Sequence, residues 1–185
     1  MSKQLSCSER TTTATTIDES LRPLLIHGLK GIEKESLRIN REGSISLSPH
    51  PAQLGAALTH PNITTDYSEA LLELITPALS DGTEMLSYLA DLHKYVCANI
   101  NDESLLAASM PVGDLRDLAI PIAEYGPSNV GRMKHIYRQG LSYRYGRCMQ
   151  VIAGIHFNYS LPVPFWPQYQ HFMQHVGDLQ AFTTQ

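Results

Sequence analysis

The sequence lacks the short devices that mark several large enzyme classes. It has no GxxxxGK[ST] and no GxGxxG, so any nucleotide must be held in another way. HExxH, the C2H2 zinc spacing and GxSxG are missing too, which removes most of the support for hydrolase and structural-zinc readings. Cysteine is scarce. Cys7, Cys97 and Cys148 are an odd, widely spaced set with no CxxC, so reduced thiols are expected and a disulfide framework is not. No apolar run approaches the ~18 residues of a membrane span. The N-terminal MSKQLSCSERTTTATTIDES has no apolar stretch of the secretory kind. A cytoplasmic location is the default expectation. Positive charge is also short: 14 basic residues against 18 acidic give a net charge of −4. That argues against nonspecific nucleic-acid binding, but not against a nucleotide in a local pocket.

What is present is ordinary for a soluble globular chain: 43% hydrophobic and 17% charged residues. At 185 residues the chain is long enough for one domain or a little more, burying roughly 70% of its unfolded surface. Residues 1–16 are rich in Ser and Thr and are expected to be poorly ordered. Residues 17–185 are expected to form a single incomplete domain. Apolar residues from Ile17 to about His27 recur at helical spacing, with Asp18 or Ser20 as caps. KGIEKESLRINREGSISLS reads as a strand, a turn at Arg41-Glu42-Gly43 and a short return strand over Ser44–Leu47. A short helix is expected at Gln53–Leu58. Residues 63–77, ITTDYSEALLELITP, suit a helix by their Glu, Ala and Leu, and a strand by their Ile/Thr pairs and closing Pro. A long helix follows. Asp81 and Glu84 form its capping pair, and Met85, Leu89, Leu92 and Val96 line one face. After loops around SMP, IPI and YGPSN, a further helix is expected from Asn129 to Tyr145, capped by Ser128 or Asn129. Met149–Leu161 has the clearest periodicity. Val151, Ala153, Ile155, Phe157, Tyr159 and Leu161 alternate with a mostly polar set that includes Gln150, Gly154, His156 and Asn158.

Several residues could carry chemistry. Glu33 and Glu35 are two apart, so on a strand their carboxylates share a face. Two such groups repel unless solvated or bridged by a cation, and all-oxygen ligands suit a hard ion such as Mg²⁺. An exposed charged strand is the commoner explanation of an ExE pair. Asp66, Glu69 and Glu73 add acids in the ambiguous segment. Glu69 and Glu73 share a face on either element. Asp66 and Glu73, seven apart, share one on a helix but need a bend between them on a strand. His156 lies on the polar face of the period-two segment beside Gly154, a glycine that leaves room for close approach. A lone His is more often structural than a ligand. Arg132, Lys134, His135, Arg138, Arg144 and Arg147 form a local basic cluster that suits phosphates or simply solvent.

Together these segments resemble the bacterial glutamate–cysteine ligases. The match begins at GIEKESLR and runs through HPAQLGAALTHPNITTDYSEALLELITP. It resumes at DLHKY, SMP, EYGPSNVGRMKHIYRQGLSYRYG and MQVIAGIHFNYSLP. The resemblance implies an α+β fold similar to glutamine synthetase, a curved and mainly antiparallel sheet with flanking helices, incomplete here because family chains run well beyond this one. It implies an ATP- and Mg²⁺-dependent ligase joining the γ-carboxylate of glutamate to the amine of cysteine through a γ-glutamyl phosphate, the first step of glutathione synthesis. Glutamate, cysteine and ATP are then the small-molecule partners; nucleic acid and membrane are not partners. By the same resemblance Glu33, Glu35, Asp66, Glu73 and His156 fall at metal positions. Tyr67, Tyr137 and Gln150 fall in the cysteine pocket, with Tyr67 where a Phe is also seen, and Ile152 falls beside the glutamate site. No catalytic residue separate from the metal ligands is implied. Two alternatives stay open: a non-catalytic remnant that at most binds a divalent cation or amino acid, and a related ATP-dependent ligase with another amine acceptor.

Overall fold

The computed structural model describes residues 19–111 and 119–184. The Ser/Thr-rich stretch 1–16, the cap candidate Asp18 and Cys7 lie outside them; Cys97 is exposed and Cys148 half-buried. Among the described residues, those of 29–159 form one compact unit, and 19–28 with 160–184 form another.

The larger unit is built on an antiparallel sheet. Strand β1 (Leu29–Ile39) is its centre, flanked by β2 (Ile63–Thr65) and β3 (Leu71–Ile75) in the order β2-β3-β1. β4 (Ser104–Leu105) pairs with the far end of β1, and β5 (Ile155–Ser160) also pairs with β1. The segment that sequence left between helix and strand is thus a strand pair. Ile63 faces Leu74 and Thr65 faces Leu72, and residues 66–70 turn between them. Strand pairing of β-branched Ile63, Thr64 and Thr65 wins over the helix preference of Glu, Ala and Leu, because Leu72 and Leu74 are fully buried on one sheet face.

That face is covered by helix α2 (Gly82–Asn99). Leu54, Ile63, Leu72, Leu74, Val96 and Ile100 form a buried cluster, with Leu89 and Leu92 packed against it. The cap is as expected: the Asp81 carboxylate accepts from the Glu84 N–H at 2.8 Å. Helix α3 (Asn129–Tyr145) is capped by Ser128, whose hydroxyl accepts from the Gly131 N–H at 3.1 Å. Gly131 is required there. A Cβ on it would lie 2.5 Å from the Tyr125 carbonyl oxygen and 2.7 Å from that of Gly126. The glycine lets the first turn of α3 close on the backbone at 125–126.

Other expectations are corrected. The helix expected over 17–27 is a single turn, α1 (Arg22–Leu25), with no side-chain cap. The return strand expected at Ser44–Leu47 is reduced to an isolated bridge between Ile39 and Ile45. The turn itself is present, with Gly43 at φ 78°. The Gln53–Leu58 helix is one 3-10 turn, Ala52–Leu54. The long strand expected over Met149–Leu161 is confined to β5, because Cys148–Val151 is a 3-10 turn. Its apolar set is not a covered face either. Val151 and Ala153 are buried, but Ile155, Phe157 and Tyr159 are exposed.

In the smaller unit, Phe165 and Tyr169 of α4 (Phe165–Phe172) stack at 5.2 Å, and Tyr169 meets Phe182 of α5 (Leu179–Thr183) at 5.9 Å. Among the described residues no helix is long and apolar enough to cross a membrane.

Candidate functional site

The sheet face opposite α2 carries the acids. In the β1–β3 register Glu35 lies directly across from Glu73, and Glu33 two residues along β1 lies across from Ile75. Directly opposed residues of an antiparallel pair project to the same side. Glu33, Glu35 and Glu73 therefore share one face, as the ExE spacing predicts for the first two. Leu37 and Leu71 continue that face into a buried cluster with Tyr67, Ile120, Ile122, Val151 and Ala153. One end of the face is thus apolar and closed, and the other is acidic.

β5 brings in the rest. The Glu35 N–H donates to the Gly154 carbonyl at 3.0 Å, and the Gly154 N–H donates to the Glu35 carboxylate at 2.7 Å. His156 Nδ1 lies 3.4 Å from a Glu33 carboxylate oxygen, and Asn158 donates to the other at 2.9 Å. Rising numbers on β5 meet falling numbers on β1, so the pair runs antiparallel. The room beside Gly154 is filled by this chain itself: a Cβ there would sit 3.5 Å from both the Glu35 carboxylate and the His156 ring.

The electrostatics are those of crowded carboxylates. Burial, then the charges of Asp66, Glu35 and Glu33, push the Glu73 carboxyl up to about 7. Burial also raises Glu35, with Asp66 and Glu33 adding to it, while the Gly154 N–H and His156 act the other way. Asp66 is therefore within electrostatic reach of both. The turn at 66–70 supplies the bend its odd spacing requires. All five residues expected at the metal positions are gathered here. Among the described residues no three His, Cys, Asp or Glu side chains form a finished cage. The donor set nevertheless suits a hard divalent cation: four carboxylates and one imidazole, with one carboxyl raised to about 7 by burial and by the neighbouring acids.

That imbalance has a measurable sign. The folded chain keeps a proton on Glu73 up to about pH 7, whereas the unfolded chain releases it near the ordinary value of 4.5. Between those values the folded state binds more protons, so stability falls as pH rises through the window. Urea unfolding of the metal-free chain between pH 4.5 and 7 is expected to show this decline, and Glu73→Gln should flatten it. An unchanged slope in the variant would assign the decline elsewhere.

The residues expected in substrate pockets are dispersed differently. Tyr67 is buried in the apolar cluster beside Val151 and Ala153, Gln150 and Ile152 are half-buried next to those residues, and Tyr137 is exposed on α3. Glu69 does not share the face of Glu73. It is buried, and its carboxylate accepts the backbone N–H of His50 at 2.5 Å and that of Glu124. The bend that turns Asp66 toward the site turns Glu69 away from it. Asn158 was legible only as one more polar residue on the alternating face of His156. The contacts of Tyr125 and Arg138 with the Asp66 turn had no sequence signal, because they join segments about sixty and seventy residues apart.

Solved proteins with the same fold include a ligase and a synthetase. Glutamate–cysteine ligase from Francisella tularensis, solved in complex with AMP, matches with a TM-score of 0.77 and 42% identity over 80% of this chain and 30% of that one. A bifunctional glutathione synthetase from Pasteurella multocida matches with a TM-score of 0.74 and 30% identity over 86% of this chain and 20% of that one. The chain belongs to the glutamate–cysteine ligase family, whose model matches residues 14–185. Curated relatives include glutamate–cysteine ligases of Hahella chejuensis, 55% identical over 84% of this chain, and Azotobacter vinelandii, 54% identical over 80% of it. The chain spans 30% and 28% of the lengths of those two relatives.

Proposed function

We propose that this chain supplies the cation-holding face of a glutamate–cysteine ligase, which joins the γ-carboxylate of glutamate to the amine of cysteine at the expense of ATP. The observation that carries the reading is the register that sets Glu35 against Glu73 with Glu33 and His156 on the same face. Glu33, Glu35, Asp66, Glu73 and His156 would hold Mg²⁺. The ion's chemistry is to offset the charge of the triphosphate and of the phosphoryl group in transfer. Glutamate's γ-carboxylate oxygen attacks the terminal phosphorus and ADP leaves, giving γ-glutamyl phosphate. The neutral amine of cysteine then attacks the acyl carbon, phosphate leaves, and the nitrogen gives up a proton. Here the chain's own residues orient and exclude: Gly154 fixes the Glu35 carboxylate, Asn158 fixes Glu33, and the Leu37–Leu71 cluster closes one end of the face to water. Tyr67, Gln150 and Ile152, which lie near Val151 and Ala153, would read the amino-acid substrates, and Tyr137, exposed on α3, is the fourth residue assigned to that task. A cytoplasmic setting suits an ATP-dependent reaction.

A second reading is that these 185 residues by themselves bind a cation without turnover. Both are tested together. The purified chain with ATP, Mg²⁺, glutamate and cysteine is expected to give no γ-glutamylcysteine, because phosphoryl transfer needs several groups positioned at once. A chimera carrying residues 30–166 of this chain in place of the matching part of the Hahella chejuensis ligase is expected to make the product. A chimera that folds and binds ATP but is inactive overturns the catalytic reading.

A further inference from the structure

Asp66 is the one acid of the site that does not stand on a strand. It follows the last residue of β2, at the start of the turn 66–70, and its charge acts on Glu35 and Glu73. Its own N–H is tied to the Leu71 carbonyl at 3.0 Å within the turn. Its carbonyl is held from outside. Arg138 Nε on α3 donates to it at 2.6 Å, and the Tyr125 hydroxyl reaches it at 2.9 Å and the Thr65 carbonyl at 2.7 Å. A phenol has one proton to share between two carbonyls. Arg138 therefore supplies the donor that Tyr125 cannot give to both at once.

The two side chains also hold each other. The Arg138 guanidinium lies 4.8 Å from the centroid of the Tyr125 ring, with Lys134 at 5.0 Å. Tyr125 is buried at 6% exposure, and Gly131 lets α3 close against its backbone. Helix α3 is thereby fastened to the turn through a stacked pair whose polar ends meet on one carbonyl oxygen. We infer that Tyr125 and Arg138 are positioning residues that lock the backbone of Asp66 so that its carboxylate stands with Glu35 and Glu73 when a divalent cation binds. The inference rests on the reading that this face holds such a cation. It assigns a task to α3 that its exposed Tyr137 does not perform.

The test is Mn²⁺ titration of the 185-residue chain, followed by electron paramagnetic resonance of the free ion, with thermal melts in parallel. Tyr125→Phe removes a hydroxyl and keeps the ring. Arg138→Lys keeps a charge and loses the Nε donor. Each is expected to weaken Mn²⁺ binding by about tenfold, the usual range for a group that orients a metal ligand. Asp66→Asn should weaken it as well. The double variant Asp66→Asn/Arg138→Lys should bind no more weakly than Asp66→Asn alone, since the arginine acts through that carboxylate. Melting loss with unchanged Mn²⁺ affinity, or additive losses in the double variant, overturns the positioning role. A wild-type chain that binds no Mn²⁺ overturns the cation reading itself, and this inference with it.

Discussion

Replacing Arg38 by alanine is expected to destabilise the larger unit by about 3–5 kcal/mol, the range for breaking a buried ion pair from one side. Arg38 leaves the α2 face of β1 with 1% of its side chain exposed, and its guanidinium lies 2.5 Å from Glu103. The same group donates to the carbonyls of Ser48 at 2.7 Å, Pro49 at 3.1 Å and Glu69 at 2.9 Å. Glu103 in turn accepts from the Ser46 hydroxyl. One side chain thus ties the loop after β1, the turn before β3 and the approach to β4. Alanine leaves a carboxylate only 15% exposed without its cation, and three carbonyls without a donor. Urea unfolding followed by circular dichroism measures the loss. Arg38→Met/Glu103→Met should recover a good part of it, because no buried charge is then left unpaired. A loss below about 1 kcal/mol for Arg38→Ala would show that the loops hold without this clamp.

Glu35→Gln is expected to lower divalent-cation affinity by at least about tenfold, while leaving the metal-free chain as stable as before or more so. Glutamine keeps an oxygen for the Gly154 N–H, so the β1–β5 contact survives. It removes one of the negative charges that raise Glu73. In the absence of metal that relieves repulsion, and the Glu73 carboxyl should move down toward its ordinary range. Opposite signs for stability and binding are what a site built for a ligand gives, since its groups are arranged against their own repulsion. Isothermal titration with Mn²⁺ and Mg²⁺ and a thermal melt settle both signs. Unchanged affinity in Glu35→Gln would make this carboxylate a half-buried strand residue and nothing more. In the chimeric ligase the same substitution should cut turnover at saturating Mg²⁺ without unfolding the protein.

Helix α3 shows a limit of sequence reading in energetic terms. Its bounds and its Ser128 cap follow from local chemistry, because a cap acts within three residues. Its function as a brace does not. Arg138 reads as one member of a basic cluster, and its partner is a carbonyl 72 residues away. Backbone acceptors leave no residue-type signal, so no spacing rule can find them. Tyr125 is invisible for the same reason.

The sequence by itself determined which side chains share a face. Period two sets Glu33 with Glu35 and His156 with Asn158, and in both cases the strand obeys it. It also determined the capped helices α2 and α3 and, through long collinear blocks, the family. Only the tertiary structure decided three further things. Cross-strand register placed Glu73 opposite Glu35, which depends on pairing between residues 38 apart in sequence. The turn at 66–70 sent Asp66 into the site and Glu69 into a buried set of backbone bonds, although a spacing of four sets Glu69 with Glu73 on either element. Coverage decided the rest. Alternation says that Ile155, Phe157 and Tyr159 lie together, but burial depends on what packs against them, and in this chain they remain exposed. Local geometry is written in neighbouring residues, whereas register and burial are free energies of contacts between distant ones.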